Sequence, residues 1–519
     1  METELYAKRW WALGALCLSL VVIGMDNTIL NVALPTLSRD LNASASQLQW
    51  MVDSYILVFA GLLLTMGALG DRFGRKKALN IGLVIFGVGS VASAFSGSAN
   101  MLIATRALMG AGGALIMPAT LSIITNIFPP HERGRAIGIW AGVSGVGIIL
   151  GPIAGGWLLE HFWWGSVFFV NVPIIATALI YGYFVVPDSR DPAATPLDPV
   201  GAVLSIGGLV ALVYGIIEAP SHGWTSAATI TALSIAVVLL GLFIWWELRT
   251  KHPMLQMQFF ENPRFSAASA SITLVFFALF GTIFLNAQYL QFVLGYTPLE
   301  AGVRVMPVAT LIVAAPLSAR LAERFGAKIV VAGGLAIVAA ALALLSTVSA
   351  HSGFALIASS LAILGIGMGL TMTPATESIM GSLPLAKAGV GSAMNDTTRQ
   401  VGGALGVAVL GSVLASSYAS AMAPAVQSLP STAASAATDS IGGAASVAGT
   451  LQGNAGAALV QASHAAFANG MGDALIVAAI VAFVGCLVSL FFLPARAKDP
   501  LVLQTDEELP GLDAAEIAR

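Results

Sequence analysis

Long apolar runs alternate along this chain with short polar segments that carry most of its charge. Crossing roughly 30 Å of hydrocarbon as a helix takes about 20 apolar residues. Runs of that order fall at 10–35, 47–69, 78–97, 100–125, 135–159, 166–187, 198–219, 226–247, 265–290, 299–319, 328–348, 353–376, 388–417 and 466–494. The pattern predicts an all-α polytopic membrane protein with fourteen transmembrane helices.

Composition agrees. Hydrophobic residues make up 57% of the 519 and charged residues 9%, whereas soluble domains carry about a quarter charged residues. Lys and Arg gather in cytoplasmic loops. With the N-terminus inside, 19 of the 23 fall in cytoplasmic segments, Arg39 and Arg304 lie outside, and Arg106 and Arg399 lie within spans. Both termini are therefore expected in the cytoplasm of what reads as a bacterial plasma membrane protein. The run after Lys8-Arg9 is too long for a signal peptide and is read as an uncleaved span. Cys17 and Cys486 sit in the first and last spans and form no disulfide or metal framework.

The chain repeats itself. Gly67-Ala-Leu-Gly-Asp71-Arg72-Phe73-Gly74-Arg75-Lys76-Lys77 returns 252 residues later, from Ala319 through Glu323-Arg324-Phe325-Gly326 to Lys328. At an offset of 255, Phe128-Pro129 matches Leu383-Pro384, Val146-Gly147 matches Val401-Gly402, and Leu150-Gly151 matches Leu405-Gly406. All three matches are shifted by eight spans. They predict two six-helix halves, 1–187 and 265–494, around an inserted pair with its linkers at 188–264, and a cytoplasmic tail at 495–519. Parallel six-helix repeats are the plan of the major facilitator fold, which holds substrate near the midplane and rocks to alternate access. The segment 418–465 has no Lys or Arg and is rich in Ala, Ser and Gly; it is expected to be a flexible or weakly helical outside loop.

These motifs resemble the major facilitator superfamily, and within it the fourteen-span drug:proton antiporters that include quaternary-ammonium exporters. The loop from Gly67 to Leu79 looks like the superfamily signature, and Leu102, Arg106 and Gly110 like the motif of its fourth helix. Gly147-Ile-Ile-Leu-Gly151-Pro152-Ile-Ala-Gly155-Gly156 resembles the antiporter motif, and Asp26 to Pro35 resembles the first-helix motif of drug antiporters. The resemblance implies proton-coupled export of amphipathic, often cationic, compounds. A dedicated exporter of one metabolite, antibiotic, siderophore or lipid is the alternative, with a non-transporting sensor further behind.

Charge inside the bilayer marks the candidate coupling residues, because a buried ionisable group costs several kcal/mol unless paired, protonated or facing water. Asp26 lies about 15 Å from the outer end of its helix and Arg106 about 9 Å deep in the fourth, close enough to couple. Asp53 is a second acid, and Asp396 and Arg399 share one helix face, three residues apart. Asp71, Arg72, Gly74 and Arg75 are expected to latch the cytoplasmic ends of the halves. Gly147, Gly151 and Gly155 leave a flat stripe for close helix approach, and Pro152 permits a bend. Asn31, Trp50, Tyr55, Trp140, Asn286, Gln288 and Gln291 are expected to line a mostly apolar substrate cavity, aromatic faces attracting organic cations. The chain lacks a Gly-x4-Gly-Lys-Ser/Thr phosphate loop. The expected energy source is the proton gradient, with no cofactor, no catalytic residues, no metal and no nucleic acid. The expected partners are small amphipathic molecules, protons and lipid.

Overall fold

The computed structural model describes residues 2–190, 197–383, 388–451 and 454–494; the tail at 495–519 lies outside them. The helices are α1 Glu2–Asp40, α2 Ala45–Phe73, α3 Arg75–Ala94, α4 Ala99–Ile127, α5 Pro130–His161, α6 Ser166–Phe169, α7 Asn171–Val185, α8 Pro199–His222 and α9 Ala227–Glu247. After them come α10 Pro263–Gln288, α11 Pro298–Arg304, α12 Leu311–Phe325, α13 Ala327–Leu345, α14 Phe354–Met380, α15 Ala388–Met422, α16 Ser431–Asp439, α17 Ile441–Thr450 and α18 Asn454–Phe492. Thirteen helical segments among the described residues are long and apolar enough to cross a membrane. The run expected at 135–159 lies in α5, a helix of 32 residues that is not among the thirteen. The all-α polytopic architecture stands, and the count of fourteen is not reached by this measure.

Local chemistry explains where the helices break. Pro173 cannot donate to the carbonyl of Phe169, and the sixth apolar run is interrupted there, between α6 and α7. Pro307 opens a 3-10 turn, Met306–Thr310, that separates α11 from α12. Gly74 at φ 122° and Gly326 at φ 84° turn the chain between α2 and α3 and between α12 and α13. Both occupy the left-handed region that glycine enters without penalty, so the duplicated charged loop keeps its backbone where its charges have diverged.

The repeat is visible in the packing. Gly147 and Gly151 set α5 against the carbonyls of Val21 and Met25 on α1, and Gly402 and Gly406 set α15 against those of Thr273 and Phe277 on α10. Gly112 of α4 meets Gly82 and Phe86 of α3, as Gly367 of α14 meets Gly334 and Val338 of α13. Equivalent positions are 255 apart on α4/α14 and α5/α15, but 252 apart on α1/α10 and α3/α13. Asp26 therefore corresponds to Ala278, not to the Gly281 that a uniform 255 would give, and Arg106 corresponds to Leu361.

Helices α1 to α7 pack mainly on one another, as do α10 to α15 with α18; α8 and α9 pair, and α8 also lies on α2 and α15. Contacts between the two groups run chiefly between α2 and α15 and between α5 and α11, with fewer between α1 and α10. Gln291 donates to the carbonyl of Val32 at 2.8 Å, the amide of Leu299 donates to Glu160 at 3.2 Å, and Gly302 abuts the carbonyl of Pro152.

The segment 418–465, expected to be flexible or weakly helical, takes the helical form. Apart from 452–453, which fall outside the described residues, it is ordered as the end of α15, α16, α17 and the start of α18. Ala437, Ile441, Ala444 and Val447 are buried, and the Tyr418 hydroxyl donates to the carbonyl of Ala437 at 3.1 Å. Alanine, the commonest residue of the segment, is also the strongest helix former, and small side chains let short helices dock closely.

Candidate functional site

The strongest polar constellation lies inside the first helical group. Arg106 projects from α4 and is 2% exposed; Asp26 projects from α1 and is fully buried. The guanidinium Nη1 donates to Asp26 Oδ2 at 2.5 Å, and Nε donates to the carbonyl of Met51 on α2 at 3.1 Å. The ring of Tyr55 lies under the guanidinium at 4.3 Å and stacks on Phe59. Buried charge is tolerable only when paired and hydrogen-bonded, and three helices here converge on one cation. Tyr55, expected in the substrate cavity, is thus part of the ion-pair cluster.

Two further residues complete the cluster and were not singled out from the sequence. The Asn171 amide donates to Asp26 Oδ1 at 3.3 Å and to Ser90 Oγ at 3.1 Å, and the Ser90 hydroxyl donates to the Phe168 carbonyl at 2.8 Å. The signal was a lone amide in an apolar run, two residues before the proline that breaks it. Break and amide belong together, since the carbonyl of Phe168 next to the break receives the end of this chain of hydrogen bonds.

Asp53 is placed differently. It is fully buried, and neither carboxyl oxygen has a hydrogen-bond partner among the described residues. It lies one turn from Gln49, on the same face of α2, and Gln49 reaches Gly411 on α15. Asp26 therefore sits within one group, whereas Asp53 faces the seam between the two.

Asp396 and Arg399 on α15 stand 3.8 Å apart, with the guanidinium over Phe276 of α10. Asp71 pairs with Arg75 at 2.6 Å, Arg72 lies over Phe73, and the Arg75 amide donates to the carbonyl of Ser189. These loop contacts stay within the first group. Gly147, Gly151 and Gly155 press α5 onto α1 along the turns flanking Asp26, and Pro152 is the point on α5 that Gly302 meets.

The residues expected to line one cavity are dispersed. Asn286 is fully buried, with both side-chain polar atoms unpartnered among the described residues. Asn31 donates weakly to its own helix, and so does Gln288. Gln291 crosses the seam to α1. The Trp140 indole donates to the Thr120 hydroxyl, and that of Trp50 donates to Glu218 on α8. On α2 itself, Trp50 reaches α8 whereas Tyr55 lies against Arg106 of α4, so two residues of one helix serve different neighbours. Among the described residues no group of His, Cys, Asp and Glu could hold a metal.

Comparison with known proteins decides the family. The Major Facilitator Superfamily profile matches residues 16–407. The chain belongs to the major facilitator superfamily. Among relatives, it is 38% identical to the multidrug efflux pump LfrA of Mycolicibacterium smegmatis, covering 94% of this chain and 96% of that one. It is 36% identical to the tetracenomycin C resistance and export protein of Streptomyces glaucescens, over 98% and 95%, and 37% identical to the methyl viologen resistance protein SmvA of Salmonella typhimurium, over 89% and 93%. Its fold resembles the inward-facing, unoccupied crystal structure of a bacterial homolog of the human lysosomal transporter Spinster. That match has a TM-score of 0.69 at 19% identity, over 95% of this chain and 99% of that one. The superfamily assignment makes this a multi-pass transporter of small molecules, and its relatives are bacterial.

Proposed function

We propose that this major facilitator protein exports amphipathic, cationic or lipophilic drugs from the cytoplasm in exchange for protons, by alternating access and with both termini in the cytoplasm. The observation that carries the coupling is the contrast between the two buried acids of the first group. Asp26 is accommodated as a carboxylate by Arg106. Asp53, without a hydrogen-bond partner among the described residues, is accommodated as the neutral acid, since an unpaired buried carboxylate is costly. A change of the seam that wets Asp53 would release its proton, so proton and cargo need only prefer opposite states. The seam contacts of Gln291, Leu299 and Gly302 lie at the expected outer end, which fits a state open toward the cytoplasm. The halves at 1–187 and 265–494 would rock about them, with no cofactor, and the Asp71 loop would meet the second half in the opposite state.

Relatives named for multidrug efflux and for methyl viologen, an organic dication, support a broad cationic cargo. A relative named for one antibiotic, tetracenomycin C, supports the narrower reading of a dedicated exporter. Efflux of tetraphenylphosphonium and ethidium from cells stripped of their own pumps, with and without a protonophore, separates the two. Uncoupler-sensitive export of both supports the broad reading; export of neither sinks it.

A further inference from the structure

An open cleft of about 550 Å³ lies between α2, α4 and α8, lined by Gln47, Trp50, Asn100, Ile103, Tyr214 and Glu218, together with Ser44 and Ser46. It is bounded by the first turns of α2 and α4 and the last turns of α8, all at the expected outer end. We propose that this cleft is a second binding site for organic cations, separate from the Asp26 cluster and built by the inserted helix pair. Its volume matches that of sites for drug-sized ligands. The rings of Trp50 and Tyr214 are 6.2 Å apart and inclined at 44°, two faces of a corner, and aromatic faces attract cations.

The charge in the corner comes from Glu218. It is the only Asp, Glu, Lys or Arg in α8, and it is held by the Trp50 indole, which donates to Oε1 at 3.1 Å. The Ser221 hydroxyl approaches Oε2 at 3.5 Å, and the nearest basic group, Nδ1 of His222, is 3.9 Å away. No Lys or Arg lines the cleft. A tryptophan and a tyrosine at the membrane surface serve as anchors without any acid. A carboxylate in an otherwise uncharged spanning helix has to be met by water, a proton or a cation.

A second carboxylate strengthens the field. Asp439, at the end of α16, accepts from the Ala45 amide at 3.2 Å, and burial together with the charge of Glu218 pushes its carboxyl above the usual range. Asp439 and Gln49 line a smaller pocket beneath α16 and α17, so the first turns of α2 separate that pocket from the Trp50 cleft. The ligand class is an amphipathic cation with a quaternary or delocalised positive centre. Its chemistry is that of the proposed cargo, but occupancy is read by binding, so the site and the export reading fail separately.

The test titrates tetraphenylphosphonium into the full chain in lipid nanodiscs by calorimetry, comparing wild type with Glu218→Gln, Tyr214→Ala and a distant outer control, Glu300→Gln. Glu218→Gln keeps an acceptor for Trp50 and removes only charge. One binding event should weaken about tenfold in Glu218→Gln and in Tyr214→Ala and stay unchanged in Glu300→Gln. A photoreactive aryl-azide phosphonium should label α2 and α8 in wild type and lose that labelling in Glu218→Gln. Identical isotherms for wild type and Glu218→Gln, or labelling of α2 and α8 that survives the substitution, would overturn the proposal. If cells export no cation but the Glu218-dependent event persists, the export reading falls and the site stands.

Discussion

Helices α1 and α4 pack against each other in the first half of this transporter much as α10 and α14 do in the second, yet the chemistry between them is opposite. One pair encloses Asp26 and Arg106; the other has Ala278, fully buried, and Leu361, 1% exposed, at the equivalent positions. The glycine contacts that set the helix spacing occur in both. Duplication supplied a frame whose spacing depends on small residues, and charge was placed in one copy. The second copy keeps the same helix spacing without an ion pair at these positions, so the pair is not a requirement of the shared frame.

Copying the second half into the first breaks that comparison most severely. Arg106→Leu leaves Asp26 as an uncompensated buried charge and should cost about 3–5 kcal/mol, read as a fall in melting temperature in detergent. The double variant Asp26→Ala/Arg106→Leu reproduces Ala278 and Leu361. It should recover most of that stability while proton-driven efflux stays at background. Efflux by a well-folded double variant would show the pair to be structural. Next in size is Asp53→Asn, which on the proposed reading replaces a protonated acid by a neutral amide of the same shape. Its stability should change by less than about 1 kcal/mol, with efflux against a gradient lost and downhill exchange in proteoliposomes retained. A stability loss as large as that of Arg106→Leu would mean that Asp53 is ionised and paired.

Much of this was legible in the chain. Apolar runs gave the helices, since a bilayer forces every backbone group to be satisfied within its own segment. The duplicated loop gave the repeat because glycine is the residue that enters the turn at Gly74 and Gly326. Asp26 and Arg106 stood out because charge within an apolar run is rare. Asn171 and Ser90 did not, because uncharged polar residues are common in spans and only three-dimensional convergence distinguishes these two. The direction of Trp50 toward α8 was also hidden: a helix face is readable as apolar or polar, but which neighbour it meets depends on packing. A single offset of 255 would misplace the counterpart of Asp26, because the three-residue difference falls between α3 and α4.

A smaller effect sharpens the shared side of the comparison. A methyl group at Gly151 would meet the Met25 carbonyl at 2.7 Å as well as Thr28, and one at Gly406 would meet the backbone of Phe277, whereas Gly138 has open space around it. Gly151→Ala and Gly406→Ala should each cost about 1–3 kcal/mol by overpacking, whereas Gly138→Ala should be neutral or stabilising by up to about 1 kcal/mol. Equal losses in the two halves, measured by thermal melting, would place the glycines in the frame. A loss of transport confined to Gly151→Ala at normal stability would instead tie that glycine to the Asp26 cluster it flanks.

The smallest expected effect concerns α16 and α17, which have no counterpart in the first half and close over its outer end. Burial raises the Asp439 carboxyl above its value in the unfolded chain, the Glu218 carboxylate adds to the rise, and the Ala45 amide opposes it. A group with a raised value in the docked state binds its proton more tightly there. Docking is therefore favoured in acid and weakens as pH rises through the raised value, the reverse of an acid held by a cation. Gly442 offers the readout, because a Cβ at this position would lie 3.3 Å from that of Ser38 on α1, close to the roughly 3.5–4.5 Å of a disulfide. With Cys17 and Cys486 replaced by Ala, the Ser38→Cys/Gly442→Cys pair should cross-link on mild oxidation. Adding Asp439→Asn should raise the cross-linking yield relative to the parent near neutral pH and leave it unchanged near pH 4, each pH being its own control for thiol reactivity. A yield ratio that does not vary with pH would mean that these helices are held by apolar burial alone, with Asp439 serving only as an acceptor for the end of α2.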